Sequence, residues 1–191
     1  MHHLIDFDGT LLSKDCFRDA TISVPPIYLL PIVVLLHIFS KIGLIHLAWF
    51  KSLGYKYLYA KRRDIRYKKA VSKLSCCFYE RVLEAIDNLD GDVIILSASP
   101  DFLVQDIVNS KFGSGCYCVV GSSFRNGQFV HMFGINKKHW IEKQAFSGSV
   151  HFWGDSESDL AVLPSVDFFD FFKSGVVVER LEGGKRASSH V

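Results

Sequence analysis

Leu4-Ile5-Asp6-Phe7-Asp8-Gly9-Thr10-Leu11-Leu12 is a short apolar run, two carboxylates separated by one residue, then a glycine and a hydroxyl. An apolar run closed by a turn signal reads as a buried strand that stops at Asp6. Asp6 and Asp8 then leave the carboxyl-terminal end of that strand, where open α/β sheets place their ligands. Two carboxylates this close repel unless a cation or a shared proton compensates them. Oxygen ligands at this spacing suit a hard ion such as magnesium. Taken alone, the string is equally well a solvated Asp-Gly turn, so the rest of the chain has to decide.

A length of 191 residues is that of one domain with room for a small insertion. Hydrophobic residues make up 49% of the chain, enough for a core without disulfides. A net charge of +2 makes no global case for nucleic acid, and none is expected as a partner. The five cysteines (Cys16, Cys76, Cys77, Cys116, Cys118) lack the two-residue gap usual for zinc or redox pairs. Buried or reduced thiols in a cytoplasmic compartment are expected. No signal peptide is read at the amino end.

The composition changes sharply over residues 20–75. Ala20 to Ser40 contains no Asp, Glu, Lys or Arg, and Ile27 to Phe39 is almost wholly apolar. Such a length can span a bilayer, but Pro25, Pro26 and Pro31 break its first half. The clean helical part, Ile32 to Phe39, is then too short to span, and His37 and His46 interrupt the apolar character. A second apolar piece, Ile42 to Phe50, follows Lys41. Next come Lys51, Lys56, Lys61, Arg62, Arg63, Arg66, Lys68, Lys69 and Lys73 against a single acid, Asp64, with Tyr55, Tyr57, Tyr59 and Tyr67 interleaved. The segment reads as a helical cap with a basic face. An apolar hairpin followed by basic and aromatic residues also has the make-up of a membrane-surface element, which would attach the protein peripherally to the inner membrane. Whether residues 24–50 form cap core or enter lipid stays open. The same interleaving suits single-stranded nucleic acid, but nothing else in the chain supports that.

Around this insert the pattern alternates. A helix is expected to begin within Leu12–Asp19, and another over Cys76–Leu89. Asp92 to Leu96 is a β-branched run typical of a buried parallel strand, ending at Ser97-Ala98-Ser99-Pro100-Asp101. Small hydroxyl residues there, before a helix-starting proline, form an anion pocket. Phe102 to Phe112 reads as helix and Cys116 to Gly121 as strand. Ser123 to Phe133 holds Asn126-Gly127, the strongest short hairpin signal. Asn136 is placed as a helix cap, Val150 to Trp153 as a strand, and Phe168 to Glu179 as one or two more.

Asp6-Phe7-Asp8-Gly9-Thr10-Leu11 resembles the first motif of the haloacid dehalogenase-like (HAD) phosphohydrolases. Leu96-Ser97-Ala98-Ser99-Pro100-Asp101 is similar to their second, in the form found in the branch of phosphoserine phosphatase-like and phosphatidylglycerophosphatase-like enzymes. Gly154-Asp155-Ser156, followed by Asp159, resembles the fourth. Lys137, four residues before Ile141, matches the third-motif lysine, with Lys138 as the rival. The resemblance implies an α/β fold, a Rossmann-like parallel sheet flanked by helices with a small, mainly helical cap insertion. Residues 1–19 and 76–182 would form the core, 20–75 the cap, and 183–191 a disordered tail.

The resemblance also implies a reaction. Asp6 would be the nucleophile that forms an aspartyl-phosphate, and Asp8 the general acid and base. Magnesium would be held by Asp6, Asp155 and the backbone carbonyl of Asp8. Ser97, Ala98 and Lys137 would bind the phosphoryl group, with Asp159 and Thr10 supporting from behind. The hydrophobic, basic insert favours a lipid-linked phosphate such as phosphatidylglycerophosphate, with a small soluble monoester such as phosphoserine as the rival. The same motifs serve phosphotransferases. A non-catalytic membrane-surface protein that retains the fold, and a metal-dependent glycosyltransferase using Asp6-x-Asp8, are further alternatives.

Overall fold

The structure, a computed structural model, describes residues 1–44 and 46–184. β1 (His2–Ile5) lies at the middle of the sheet, hydrogen-bonded in parallel to β2 (Asp92–Pro100) on one side and β5 (Val150–Gly154) on the other. Leu4 faces one core and Ile5 the other, so the strand needs apolar residues at consecutive positions. β3 (Cys118–Arg125) extends the sheet beyond β2, and β6 (Phe168–Lys173) extends it beyond β5, both in parallel. The expected parallel arrangement therefore holds for the five inner strands. The two edges differ: β4 (Gln128–Val130) and β7 (Val176–Glu182) are antiparallel hairpin partners, and the full order is β4-β3-β2-β1-β5-β6-β7. Asn126 and Gly127, with φ of 50° and 79°, make the β3–β4 turn that their sequence signals.

The chain winds outward from β1 in one direction through β2 and β3, then returns to wind outward through β5 and β6. The sheet's switch point thus falls at β1, and its carboxyl end is where a ligand crevice forms. α6 (Asp101–Phe112) packs on one face of the sheet. α7 (Ile135–Gln144) and the 3-10 segment Glu157–Ser165 pack on the other.

Between β1 and β2 run α1 (Cys16–Ser23), a 3-10 turn Ile27–Leu29, α2 (Leu30–Lys41), α3 (Leu47–Ala60), α4 (Ile65–Leu74) and α5 (Glu80–Asp87). Pro31 does not break α2. It sits in the first turn, where a missing N–H is tolerated, so the helix runs 12 residues, four more than Ile32–Phe39. α1 and the following helical segment are bent by 116° at the break between them, and among the described residues no single helix is long and apolar enough to cross a membrane.

Other expectations shift by a few residues. The first helix starts at Cys16, because Asp15 caps it by accepting from the Arg18 N–H. The helix placed at Cys76 begins only at Glu80, after a turn. Asn136 lies inside α7 and donates its side-chain N–H to the His131 carbonyl; Gly134 holds the cap position. Of the cysteines only Cys16 is buried, and all five are free thiols. The tail expected from residue 183 lies outside the described residues except for Gly183 and Gly184, whose N–H groups donate to Asp167 and Leu163 carbonyls.

Part of the basic segment has a structural use. Arg62 donates to both carboxylate oxygens of Asp106 on α6, at 2.7 and 2.5 Å, and the Tyr67 hydroxyl donates to the same carboxylate at 2.8 Å. Tyr55 packs edge-on against Phe102, Phe124 and Phe129. These contacts clamp α3 and α4 onto the core helix.

A buried histidine gives the fold a pH signature. His3 is 3% exposed and its Nδ1 has no hydrogen-bond partner. Burial lowers its pKa, only partly offset by the Asp90 carbonyl. Its folded pKa lies below the unfolded one, so this contribution to stability is present above the unfolded value of about 6.5 and is lost as pH falls through the folded value. A His3→Phe variant should therefore gain stability relative to wild type between pH 7 and pH 5 in urea unfolding. A difference that stays constant with pH would rule this out.

Candidate active site

Asp6 follows the last residue of β1, and its N–H extends the sheet by donating to the Trp153 carbonyl at 2.8 Å. Phe7 is fully buried in the core, while Asp6 and Asp8 on either side of it line a cavity of about 510 Å³. The loop is closed by the Gly9 N–H donating to the Leu12 carbonyl and by the Leu11 and Leu12 N–H groups donating to Phe7. It thus holds two carboxylates in two different settings.

Asp6 meets α7. Lys137 Nζ donates to Asp6 Oδ1 at 2.5 Å and to Asp159 Oδ1 at 2.6 Å, with the lysine 2% exposed. Ser156 Oγ donates to the other oxygen of Asp159 at 2.8 Å. Burial alone would lower the Lys137 pKa, but the two carboxylates overcome it and hold the ammonium above its ordinary range. Burial raises the Asp6 carboxyl well above the usual carboxylate value, against the pull of Lys137. Lys138 points elsewhere, 3.7 Å from Glu142 on the helix surface.

Asp8 turns to α1 and β2. Its Oδ1 accepts the Cys16 N–H at 2.7 Å, at the first turn of α1, and its Oδ2 accepts the Ser99 hydroxyl at 2.6 Å. Burial raises its pKa, the charge of Asp15 adds to that, and the Cys16 and Ser99 donors moderate it. β2 has an irregular register between Leu96 and Pro100, which breaks the simple alternation of its end. Ala98 lines the cavity. Ser97 does not: it is fully buried, and its Oγ accepts the Ser99 N–H at 3.0 Å. Thr10 is also fully buried, and its hydroxyl has no partner.

Asp155 follows Gly154 at the end of β5 and is half-buried. Burial, then the Asp159 charge, push its pKa up to about 6. Asp6, Asp155 and Asp159 can each present one oxygen with all three oxygens within 4.8 Å. This fits a hard divalent cation such as magnesium, since the three carboxylates have only Lys137 among them for compensation. Asp8 is expected to contribute its backbone carbonyl, and its carboxylate is engaged by Cys16 and Ser99; Asp159, expected behind the ion, joins the carboxylate cluster. A Cβ at Gly9 (φ +86°) would lie 1.9 Å from Asp155 Oδ2. Gly9→Ala should therefore displace Asp155, destabilise the protein by about 1–3 kcal/mol and abolish any rise in melting temperature on adding magnesium. An unchanged thermal shift with magnesium would overturn this reading.

Several residues of the site carry no mark in the sequence. Ser99 is buried behind the cavity, where it donates to Asp8, and the irregular end of β2 that aims it has no sequence signal. Arg18 and Lys51 reach the cavity from α1 and α3, and His131 from the segment after β4. The His131 ring stacks on Phe133 with its Nε2 buried and unpaired, and burial, then Lys51 and Lys137, push its pKa down to about 4. A lone histidine after a hairpin carries no mark of such a position.

Residues 4–164 match the family described as haloacid dehalogenase-like hydrolase. Comparison of the sequence with curated proteins gives no match. In fold the chain is similar to an HAD family hydrolase from Salmonella enterica subsp. enterica serovar Typhi (TM-score 0.59, 13% identity, 86% of this chain and 59% of that one). It is also similar to cytosolic 5′-nucleotidase IIIB bound to cytidine (TM-score 0.57, 14% identity, 87% and 69%). Phosphoserine phosphatase in its apo form aligns likewise (TM-score 0.56, 15% identity, 88% and 84%). At these identities the likeness is one of fold.

Proposed function

Because this chain belongs to the haloacid dehalogenase-like hydrolases, we propose that it is a phosphatase that hydrolyses a phosphate monoester through an aspartyl-phosphate on Asp6. The observation that carries the reading is the contrast in partners between two neighbouring carboxylates: Asp6 on the Lys137 ammonium, Asp8 on an N–H and an O–H. Paired carboxylates in unlike surroundings divide into nucleophile and acid.

Phosphate-monoester hydrolysis is among the slowest uncatalysed reactions, so positioning and charge compensation supply most of the acceleration. An Asp6 carboxylate oxygen attacks phosphorus as the bond to the leaving oxygen breaks, and Asp8 gives that oxygen its proton. Asp8, now ionised, takes a proton from water as the water oxygen attacks phosphorus. The bond to Asp6 breaks and inorganic phosphate leaves. Lys137 favours the ionised form of Asp6 against its burial and holds it in place, and Ser99 with the Cys16 N–H aim Asp8. Asp6, Asp155 and Asp159 would hold magnesium, whose charge when bound offsets the repulsion between carboxylate and phosphate.

The preferred substrate class is a lipid-linked phosphate such as phosphatidylglycerophosphate, because the apolar and basic insert enters the cavity wall through Leu47 and Lys51 of α3. The test is phosphate release from p-nitrophenyl phosphate with and without magnesium, then from phosphatidylglycerophosphate in detergent beside phosphoserine. Metal-dependent release from the aryl phosphate supports the phosphatase. A higher kcat/KM for phosphoserine than for the lipid would overturn the substrate class while leaving the reaction intact.

A further inference from the structure

α2 is a helix without a partner for most of its surface. None of its 12 residues is buried, although ten of them from Leu30 to Phe39 are apolar or histidine. α5, eight residues long, buries three side chains. The exposed side chains are large: Ile32 56%, Leu35 48% and Ile38 48%, with Ile27 at 84% on the preceding turn and Leu44 at 70% beyond the helix. Ile27, Leu35 and Ile38 line one apolar groove, and Ile32 shares a second with Leu53 of α3; these make an apolar band, with Trp49 of α3 exposed as well. Contiguous apolar surface on this scale marks an interaction site.

Charge identifies the occupant. Between residues 20 and 63 there is no acidic residue, while Lys41, Lys51, Lys56, Lys61 and Arg63 fall there beside Arg62, whose charge is taken up by Asp106. The cations lie at both ends of the band. α2 and α3 run antiparallel, since His37 packs edge-on against Phe50 while Leu29 and Tyr57 line the same apolar cleft. The Leu29 end therefore meets the carboxyl-terminal half of α3, which the basic residues Lys61 and Arg63 follow in the chain. At the opposite end Lys51, from the same face of α3 as Leu47, lines the catalytic cavity. An apolar band between two cationic ends complements a layer of hydrocarbon beneath anionic headgroups. A protein partner would need matching acids around an apolar groove, and a second copy of this chain would bring cation against cation.

We propose that the 3-10 turn, α2 and the amino-terminal half of α3 dock on an anionic lipid bilayer, α2 lying in the interface, with the mouth of the catalytic cavity held at headgroup level. Docking needs the band and the cations but not turnover, so it stands or falls apart from the phosphatase reading.

The experiment uses the full chain and vesicles that contain no phosphomonoester: phosphatidylcholine alone, or mixed with phosphatidylglycerol. Sedimentation and Trp49 fluorescence should both report binding to the mixed vesicles, about tenfold or more tighter than to phosphatidylcholine, with the emission of Trp49 shifting to the blue. Ile32→Asp with Leu35→Asp changes only exposed side chains. It should weaken binding about tenfold or more and leave p-nitrophenyl phosphate turnover unchanged. Arg63→Glu with Arg66→Glu should remove the preference for phosphatidylglycerol. Failure to sediment with mixed vesicles, or equal binding by the Ile32/Leu35 variant, would overturn the proposal. So would concentration-dependent dimerisation that this variant abolishes without any vesicle binding, since the band would then serve a second copy.

Discussion

Asp6→Asn is expected to lower phosphate release by about three orders of magnitude or more, because an amide cannot form the acyl-phosphate bond on which turnover depends. The substitution keeps an oxygen at the position that accepts from Lys137 Nζ and keeps the volume of a side chain that is 6% exposed. It also removes one of three crowded negative charges, with Asp155 and Asp159 remaining. Stability should change little, so loss of activity reports chemistry and not unfolding. The decisive readout is the covalent intermediate. Wild type quenched during turnover should carry phosphate in an alkali-labile bond, and Asp6→Asn should carry none. Asp8→Asn makes the useful contrast. It removes the proton donor but leaves the nucleophile, so an aryl phosphate whose leaving group needs no proton should still label Asp6 while release of phosphate stalls. An Asp6→Asn protein that keeps more than a tenth of wild-type activity would mean that some other group attacks phosphorus.

How far this site could be read from the sequence depended on how local its causes are. β1, the Asn126-Gly127 hairpin, and the strand before Asp155 follow from apolar runs and turn residues that are contiguous in the chain. The β7 edge of the sheet does not. β7 is a largely exposed strand with Val176, Val177 and Val178 facing outward, and its antiparallel pairing comes from the Ser174-Gly175 turn rather than from any apolar pattern. Asp6, Lys137 and Asp159 come together over 131 and 22 residues of intervening chain, and periodicity in the sequence cannot express such a meeting. The resemblance of the motifs singled these residues out, whereas the distances among them come only from the fold. Arg62 shows the converse failure. In the sequence it is one cation in a basic run, whereas in the fold Asp106, 44 residues away, gives it a bidentate partner. Asp8 differs again: the D-x-D string marks its carboxylate, but only the fold shows that both of its oxygens go to the start of α1 and to Ser99.

Lys137→Met should produce the largest loss of stability of any single substitution in the site, and its size should depend on pH. The ammonium donates to two carboxylates, and removing it leaves Asp6 and Asp159 buried with no cation between them. Breaking a buried ion pair from one side costs about 3–5 kcal/mol near neutral pH. The sign of the pH dependence follows from Asp6. Burial already raises its pKa, and Lys137 is the group that pulls it down. Without the lysine the folded pKa rises further above the unfolded value of about 3.9. A carboxyl raised in this way contributes stability that is present below the unfolded pKa and lost as pH rises through the folded one. The gap between wild type and variant should therefore be widest near pH 8 and shrink toward pH 5, where the carboxyl protonates. Urea unfolding at both pH values, without divalent cation, measures it. Lys138→Met is the control, since that lysine has only a solvent-facing partner at 3.7 Å, and it should stay within about 0.5 kcal/mol of wild type with full activity. A Lys137→Met gap that is the same at both pH values would mean that the lost packing of the lysine stem, and not the uncompensated carboxylates, sets the cost. A loss of activity by Lys138→Met would return the phosphate-binding role to the lysine that points away from the cavity.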